Sequence, residues 1–209
     1  MSKYMIHTCL ERQWYVEQYL IPSMLEQGIN REDIIPFIDN GRRGNLTAFL
    51  DSLDFLVKNY PMHMGVWHLQ DDVVISSDFK KVTEENDVGI VQGFCSILDD
   101  REDYWFSFQC FRLPMYNTSK FLSWLKENWK KYQNIISTNK CDDTLFRLYL
   151  IENQLVTTKL YPNIVEHIDY LIGGSVVNKK RNNKIIKSKY WTEESLLTEL
   201  AIKLSRNTH

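Results

Sequence analysis

The chain has 209 residues, of which 44% are apolar and 25% charged, and its net charge is −2 at pH 7. Such a chain can bury a real core, and its composition is that of an ordinary globular protein rather than a globally basic nucleic-acid binder. No window approaches 18 consecutive apolar residues, no cationic start followed by an apolar run marks a signal peptide, and Cys9, Cys95, Cys110 and Cys141 form no CxxC; the expectation is a cytoplasmic protein with reduced thiols and no membrane partner.

Lys3 to Thr8 reads as a first strand. Helical spacing takes over from Glu11, with Trp14, Val16, Tyr19, Leu20, Met24 and Leu25 on the inner face, Pro22 as a kink or restart and Gly28 as terminator. Ile34 to Ile38 is a second strand that runs into Asp39-Asn40-Gly41. Those are good turn residues, and at a strand end they could also read a ribose or base. Arg42 and Arg43 are either phosphate contacts or solvated. Asn45 opens a helix with Leu46, Phe49, Leu50, Leu53 and Leu56 inside, and Met64 to Leu69 is a third strand.

That third strand delivers Asp71 and Asp72 side by side. Two carboxylates at a strand end cost several kcal/mol if buried without partners, so they face a cation or solvent. A hard divalent ion bridged to phosphates uses few protein carboxylates and suits the carboxyl edge of an open α/β sheet. The bland alternative, that one of them caps a short helix beginning at Val73, is about as good.

Asp87 to Gly93 and Tyr104 to Phe111 are the next strands by pattern. Asn117 or Thr118 caps a helix that buries Phe121, Leu122, Leu125 and Trp129 and wets Lys126, Lys130 and Lys131. Asp142 and Asp143 open another helix carrying Leu145, Phe146, Tyr149 and Leu150. They either complement its dipole or supply a general base at the mouth of a cleft. Val156 to Leu160 is a late strand, and His167 follows in an apolar context that more often means a core histidine than a ligand. Lys179, Lys180, Arg181, Lys184, Lys187 and Lys189 place six cations in eleven residues, either a loop that meets phosphate or a solvated turn. Thr192 caps a last helix, with Glu193 and Glu194 in its first turn and Leu196, Leu197, Leu200 and Leu204 inside.

Strand, helix, strand, helix, strand is the order of a parallel α/β half, yet neither GxGxxG nor a Walker lysine loop is present. The pieces IHTCLERQWYVEQYLIPSMLEQGI, FIDN with GNLTAFLDSL, WHLQDDVVISSDF and YPNIVEHIDYLIGGS resemble, in that order, the GT-A fold glycosyltransferases, in particular the small ones of bacteriophages. The resemblance covers most of the chain. It implies an α/β, single-domain GT-A (Rossmann-like) fold with a mostly parallel central sheet flanked by helices. Residues 1–95 would be the nucleotide-sugar-binding half, 96–175 the acceptor and metal half, and 176–209 a basic loop and C-terminal helix.

What the resemblance implies for residues is specific. Asp72 and His167 would hold Mn²⁺ or Mg²⁺, although Gln-Asp-Asp replaces the family's Asp-x-Asp. Thr8, Arg12, Asp39 and Asp71 would face a nucleotide-diphosphate sugar, a UDP-sugar favoured, with Lys179, Lys180 and Arg181 closing over its pyrophosphate. Asp143, or Asp142 in its place, would be the base of an inverting transfer. The acceptor suggested is a hydroxymethylated pyrimidine in DNA, its backbone tracked by the basic run, Arg42, Arg43 and the lysines of the 118–131 helix, its base stacked on Tyr104, Trp105 or Tyr116. Two other classes remain open: a metal-dependent phosphoryl hydrolase or nuclease, which needs more clustered acids, and a non-catalytic nucleotide-binding module.

Overall fold

The computed structural model describes residues 2–41, 44–96, 106–138, 142–173, 188 and 190–206. The chain opens with β1 (Lys3–Cys9), then α1 (Gln13–Tyr15), a π-helical segment (Val16–Leu20) and α2 (Ile21–Glu26), which run on as one helix. β2 (Ile34–Asp39), α3 (Asn45–Asn59), β3 (Gly65–Gln70), β4 (Val73–Ile75), α4 (Phe79–Glu85) and β5 (Ile90–Gln92) follow. Then come β6 (Cys110–Pro114), α5 (Met115–Asn128), α6 (Gln133–Ile136), α7 (Asp142–Glu152), β7 (Thr157–Lys159), β8 (Val165–His167) and α8 (Glu194–Arg206).

Six strands form one sheet in the order β2-β1-β3-β6-β5-β7, while β4 and β8 make a separate ribbon. β1 is parallel to β2 and β3, and β5 to β7; β6 runs against both its neighbours, so the sheet is mostly parallel. Side chains alternate across it. Tyr4, Ile6, Trp67 and Leu69 face one way, into a core closed by the first helix, the β4–β8 ribbon and α8. Phe111, Leu113 and Ile90 face the other way, onto α3, α5 and α7. Met5, Val66 and Ile35 on that side pack against Leu56. Pro36 costs the sheet little because β2 is an edge strand.

Several expectations are corrected. Val16, Leu20 and Met24 are buried as expected, but Trp14 and Leu25 are each 40% exposed, and Tyr15 and Ile21 turn inward in their place. Pro22 has no N–H to return to the preceding turn, and the chain widens there, the Ile21 N–H reaching back five residues to the Val16 carbonyl. The wider turn carries one more residue and rotates the buried face. In the 104–111 stretch, 104 and 105 lie outside the described residues, and the strand begins only at Cys110. Phe106 and Phe108, ahead of the strand, join Phe111 and Phe146 in a buried aromatic cluster, so their alternation serves packing rather than a pleat. The 117/118 helix starts earlier, at Met115, and the Thr118 hydroxyl bonds the Pro114 carbonyl at 3.2 Å from inside it. Trp124 is buried and Trp129 is 45% exposed. Val88 is outside β5 and exposed. Glu193 lies before α8 and accepts the Ser77 N–H.

One close approach was not anticipated. Arg112 on β6 is 1% exposed; its Nε donates to Asp87 at 2.7 Å and its Nη1 to the Gly89 carbonyl at 2.8 Å. A Cβ on Gly65, on the neighbouring strand, would stand 2.6 Å from Nη2. Glycine at 65 is what leaves room for the guanidinium.

Candidate functional site

The acid pair sits where β3 ends. Gln70 is its last residue, Asp71 and Asp72 form the turn, and Val73 begins β4. Val73 therefore starts a strand, not a helix, and the capping role for either aspartate is ruled out. The ribbon then decides the geometry: β4 pairs antiparallel with β8, Val73 opposite His167. The Ile168 N–H also bonds the Asp72 carbonyl at 2.8 Å. His167 Nε2 consequently lies 3.3 Å from Asp72 Oδ2, and His167 Nδ1 3.6 Å from Asp169 Oδ1.

Arg12 closes the site from below. It closes the turn that leaves β1, its N–H bonded to the Cys9 carbonyl at 3.0 Å, and it is buried. Its Nη1 is 3.1 Å from Asp72 Oδ2 and 3.7 Å from Asp71 Oδ1. Asp71 Oδ2 accepts the Cys9 N–H at 3.2 Å. The Thr8 hydroxyl lies 3.2 Å from the Cys9 carbonyl and also supports the Asp71 carboxylate. Thr8 and Arg12, expected to face a nucleotide, are thus buried beneath the acids and hold them.

Electrostatics separate the two aspartates. Burial, then the neighbouring Asp72 charge, raises the Asp71 carboxyl above its ordinary range. Burial pushes Asp72 the same way, but His167 beside it and Arg12 more than offset that, so Asp72 is held below the ordinary range and stays ionised.

Asp72 Oδ1 is buried without a hydrogen-bond partner, an acceptor left for something positive. Two neighbouring ligands of an octahedral ion, each at about 2.1 Å, stand about 3 Å apart. The Oδ2–Nε2 separation of 3.3 Å is close to that. Among the described residues no three His, Cys, Asp or Glu side chains surround one ion position. The chemistry therefore fits an ion that takes its remaining ligands from phosphate and water.

The other expected residues are dispersed. Asp39 ends β2 beside Cys9 on β1, at the same carboxyl edge, and its Oδ1 accepts the Gly41 N–H at 3.2 Å, a turn contact. Asp142 and Asp143 do open α7. That helix leads through a short connection into β7, which is parallel to β5, so its start points to the carboxyl edge from the opposite face of the sheet. Asp142 is buried, and burial first, then the Asp143 charge, pushes its carboxyl up to about 7. Asp143 Oδ1 accepts the Thr144 N–H at 2.7 Å. Lys179, Lys180 and Arg181, with Arg42, Arg43, Tyr104 and Trp105, lie outside the described residues. Tyr116 is exposed but stands just after β6, at the amino edge, away from the acids.

Three features had no sequence signal strong enough to find. Glu166 is buried and accepts the N–H groups of His167 at 2.9 Å and Ser188 at 2.8 Å, tying the chain near residue 188 to β8. Asp169 adjoins His167 but reads as a loop acid. His7 Nε2 and His68 Nδ1 are 2.9 Å apart on the α3 side of the sheet, and burial keeps both uncharged, His7 pushed down to about 4.

No protein-family model matches the sequence, and no curated protein does. Solved structures do resemble it. One is Drosophila β-1,4-galactosyltransferase 7, an aspartate-to-asparagine mutant crystallised with manganese, UDP-Gal and xylobiose: TM-score 0.52, 8% identity, 93% of this chain and 79% of that one. Another is a glucose-1-phosphate thymidylyltransferase from Bacillus anthracis in complex with sucrose: TM-score 0.44, 11% identity, 87% of this chain and 94% of that one. The first likeness establishes the fold: the chain has the GT-A, Rossmann-like architecture.

Proposed function

We propose that this protein is a metal-dependent glycosyltransferase that moves a sugar from a nucleotide-diphosphate donor to an acceptor hydroxyl. The observation that carries the proposal is the meeting of Asp72 and His167 at the carboxyl edge of a GT-A sheet, 3.3 Å apart, with the second Asp72 oxygen buried and without a hydrogen-bond partner. Galactosyltransferase 7, of the same fold, is crystallised with manganese and UDP-Gal. That supports a nucleotide-sugar, and first a UDP-sugar, as donor here.

Asp72 and His167 are the residues that would hold Mn²⁺ or Mg²⁺. When bound, such an ion supplies Lewis-acid neutralisation of a departing pyrophosphate. The chain's own groups do the rest. Arg12 fixes both carboxylates and keeps their repulsion from spreading the turn. Asp71, raised and near the ribose or sugar in this reading, offers an oxygen to a hydroxyl. Lys179, Lys180 and Arg181 would add positive charge around the pyrophosphate.

The acceptor hydroxyl is a weak nucleophile and must lose its proton as it attacks. We assign that proton to the aspartate pair at the start of α7. Asp143 is the sequence's first choice; the burial of Asp142, with a carboxyl near 7, makes it the better poised base of the two. Direct attack with such a base inverts the anomeric centre.

For the acceptor we put forward a hydroxymethylated pyrimidine in DNA as the first class to assay. Its support is narrower than the sequence suggests: the exposed Lys126 and Lys130 further along the α5 region, since Tyr116 and Lys120 stand at the amino edge. The experiment is sugar transfer, followed by NMR of the product's anomeric configuration, from UDP-sugars to free hydroxymethyl nucleosides and to modified and unmodified duplexes, with and without Mn²⁺. Manganese-dependent transfer with inversion supports the reading. Donor turnover indifferent to metal, or retention, overturns it. Transfer to other hydroxyls but to no modified duplex removes the DNA acceptor alone.

A further inference from the structure

The edge of the sheet opposite the acids carries a second feature. Met62 is 93% exposed, Met64 82%, Val88 85%, Tyr116 70% and Val156 87%. They are scattered in sequence, but strand direction and register bring them together. Met62 and Met64 precede β3, and the Met115 N–H bonds the Met64 carbonyl at 3.3 Å, which sets Tyr116 beside them. β6 runs downward, so its end meets the start of β3, Gly65 opposite Pro114. Val88 precedes β5 and Val156 precedes β7, whose Thr157 pairs with Ile90. All five therefore lie at the amino edge, in a row across four neighbouring strands.

Single exposed apolar residues are ordinary; a row is not. At roughly 150–200 Å² for a large side chain in the open, five side chains exposed to this degree present on the order of 700 Å², above the usual largest patch of a monomer and close to the ~800 Å² per partner of a standard interface. Most of the flanking charges are matched. Asp87 is bound to Arg112, Lys3 to Asp33 and Glu152 to Lys131, and the Lys120 ammonium sits 5.4 Å from the Tyr116 ring centre. Among these described residues Lys120 alone has no carboxylate beside it, so the edge offers little to a partner recognised by charge. A second copy, brought on by a two-fold axis, would meet an apolar row like its own.

We infer that the amino edge, from Met62 to Val156, is a homodimer interface. The two acid sites then face outward at opposite ends of the assembly and stay open to substrate.

The test is sedimentation velocity of the full chain over a micromolar to sub-millimolar series. The wild type is expected to move from 24.9 kDa toward twice that mass. Val88→Lys and, separately, Met64→Glu with Val156→Glu should hold it at the monomer mass while circular dichroism melting stays near wild type. Hydrogen exchange should slow with concentration at 62–64, 87–89, 115–116 and 155–157. A single 24.9 kDa species at every concentration overturns the inference, whether or not another protein binds that edge. So does a dimer that survives both sets of substitutions, or protection that appears elsewhere.

Discussion

Asp72 Oδ2 and His167 Nε2 stand 3.3 Å apart because β4 pairs with β8 in a register that sets Val73 opposite His167. A two-residue turn and a three-residue ribbon thus do what no local sequence could. Replacing either residue should leave the ribbon's backbone bonds in place. Asp72→Ala is expected to abolish transfer, with a lower melting temperature because Arg12 loses a buried partner, but with a melt that stays cooperative. Full activity of that variant in chelator would contradict the metal reading.

The α7 acids make a pH prediction with opposite signs for stability and rate. Burial pushes the Asp142 carboxyl up to about 7 in the folded chain, from an ordinary 3.8. A raised folded value means its contribution to stability is complete below pH 3.8 and is lost as pH rises through 7, at a cost of up to a few kcal/mol. A base must be deprotonated, so kcat/KM should climb over the same range. In Asp142→Asn the high-pH loss of stability should vanish, and the rate should fall by about two decades with donor binding little changed. Urea melts and pH–rate profiles of Asp142→Asn and Asp143→Asn assign the role; wild-type rates in both would remove the base from this pair.

The histidine pair predicts the acid limb. His7 is pushed down to about 4 by burial, and His68 lies well below its ordinary 6.5. Depressed values contribute stability above pH 6.5 that is lost as pH falls toward 4. The double change His7→Leu with His68→Phe removes both titrations and should flatten that limb in pH-dependent melting. An unchanged slope would mean the histidines are not what acid unfolds.

Gly65 and Arg112 predict a packing cost far from the site. Gly65→Ala puts a methyl 2.6 Å from Nη2 and must push the guanidinium off Asp87 and the Gly89 carbonyl. The expected loss is about 2 kcal/mol or more, roughly 4–8 °C in melting temperature. Asp87→Asn should cost less, because Asp87 is one-third open to water. A Gly65→Ala protein that melts with wild type would show that Arg112 relocates freely.

The parts of this molecule legible in its sequence are those with strong local periodicity. β1, β2, β3, α3 and α7 appear where alternation or a 3.6-residue stripe places them, with Leu46, Phe49, Leu53 and Leu56 inward on α3. Reading fails where tertiary context decides. Trp14 and Trp129 look like core by type, yet a widened turn follows Trp14 and Trp129 stands at the C-cap, past the end of α5, so both are part-exposed. Val73 to Ile75 is too short for a pattern, so the ribbon that assembles the site is invisible, although the order of Asp72 and His167 hints at it. That Arg12 is buried against two aspartates is not legible either, because a buried arginine has no signature until its partners are seen. The antiparallel turn of β6 leaves none either.

The most direct test of the central claim is calorimetric titration of UDP and UDP-sugars into the full chain, with Mn²⁺ and with chelator, for wild type, Asp72→Ala and His167→Ala. The account predicts binding in Mn²⁺, at least tenfold weaker binding in chelator, and loss of that manganese dependence in both variants while their melting curves remain cooperative. Nucleotide binding that is equally tight in chelator and in both variants, or no nucleotide binding under any condition, would contradict it.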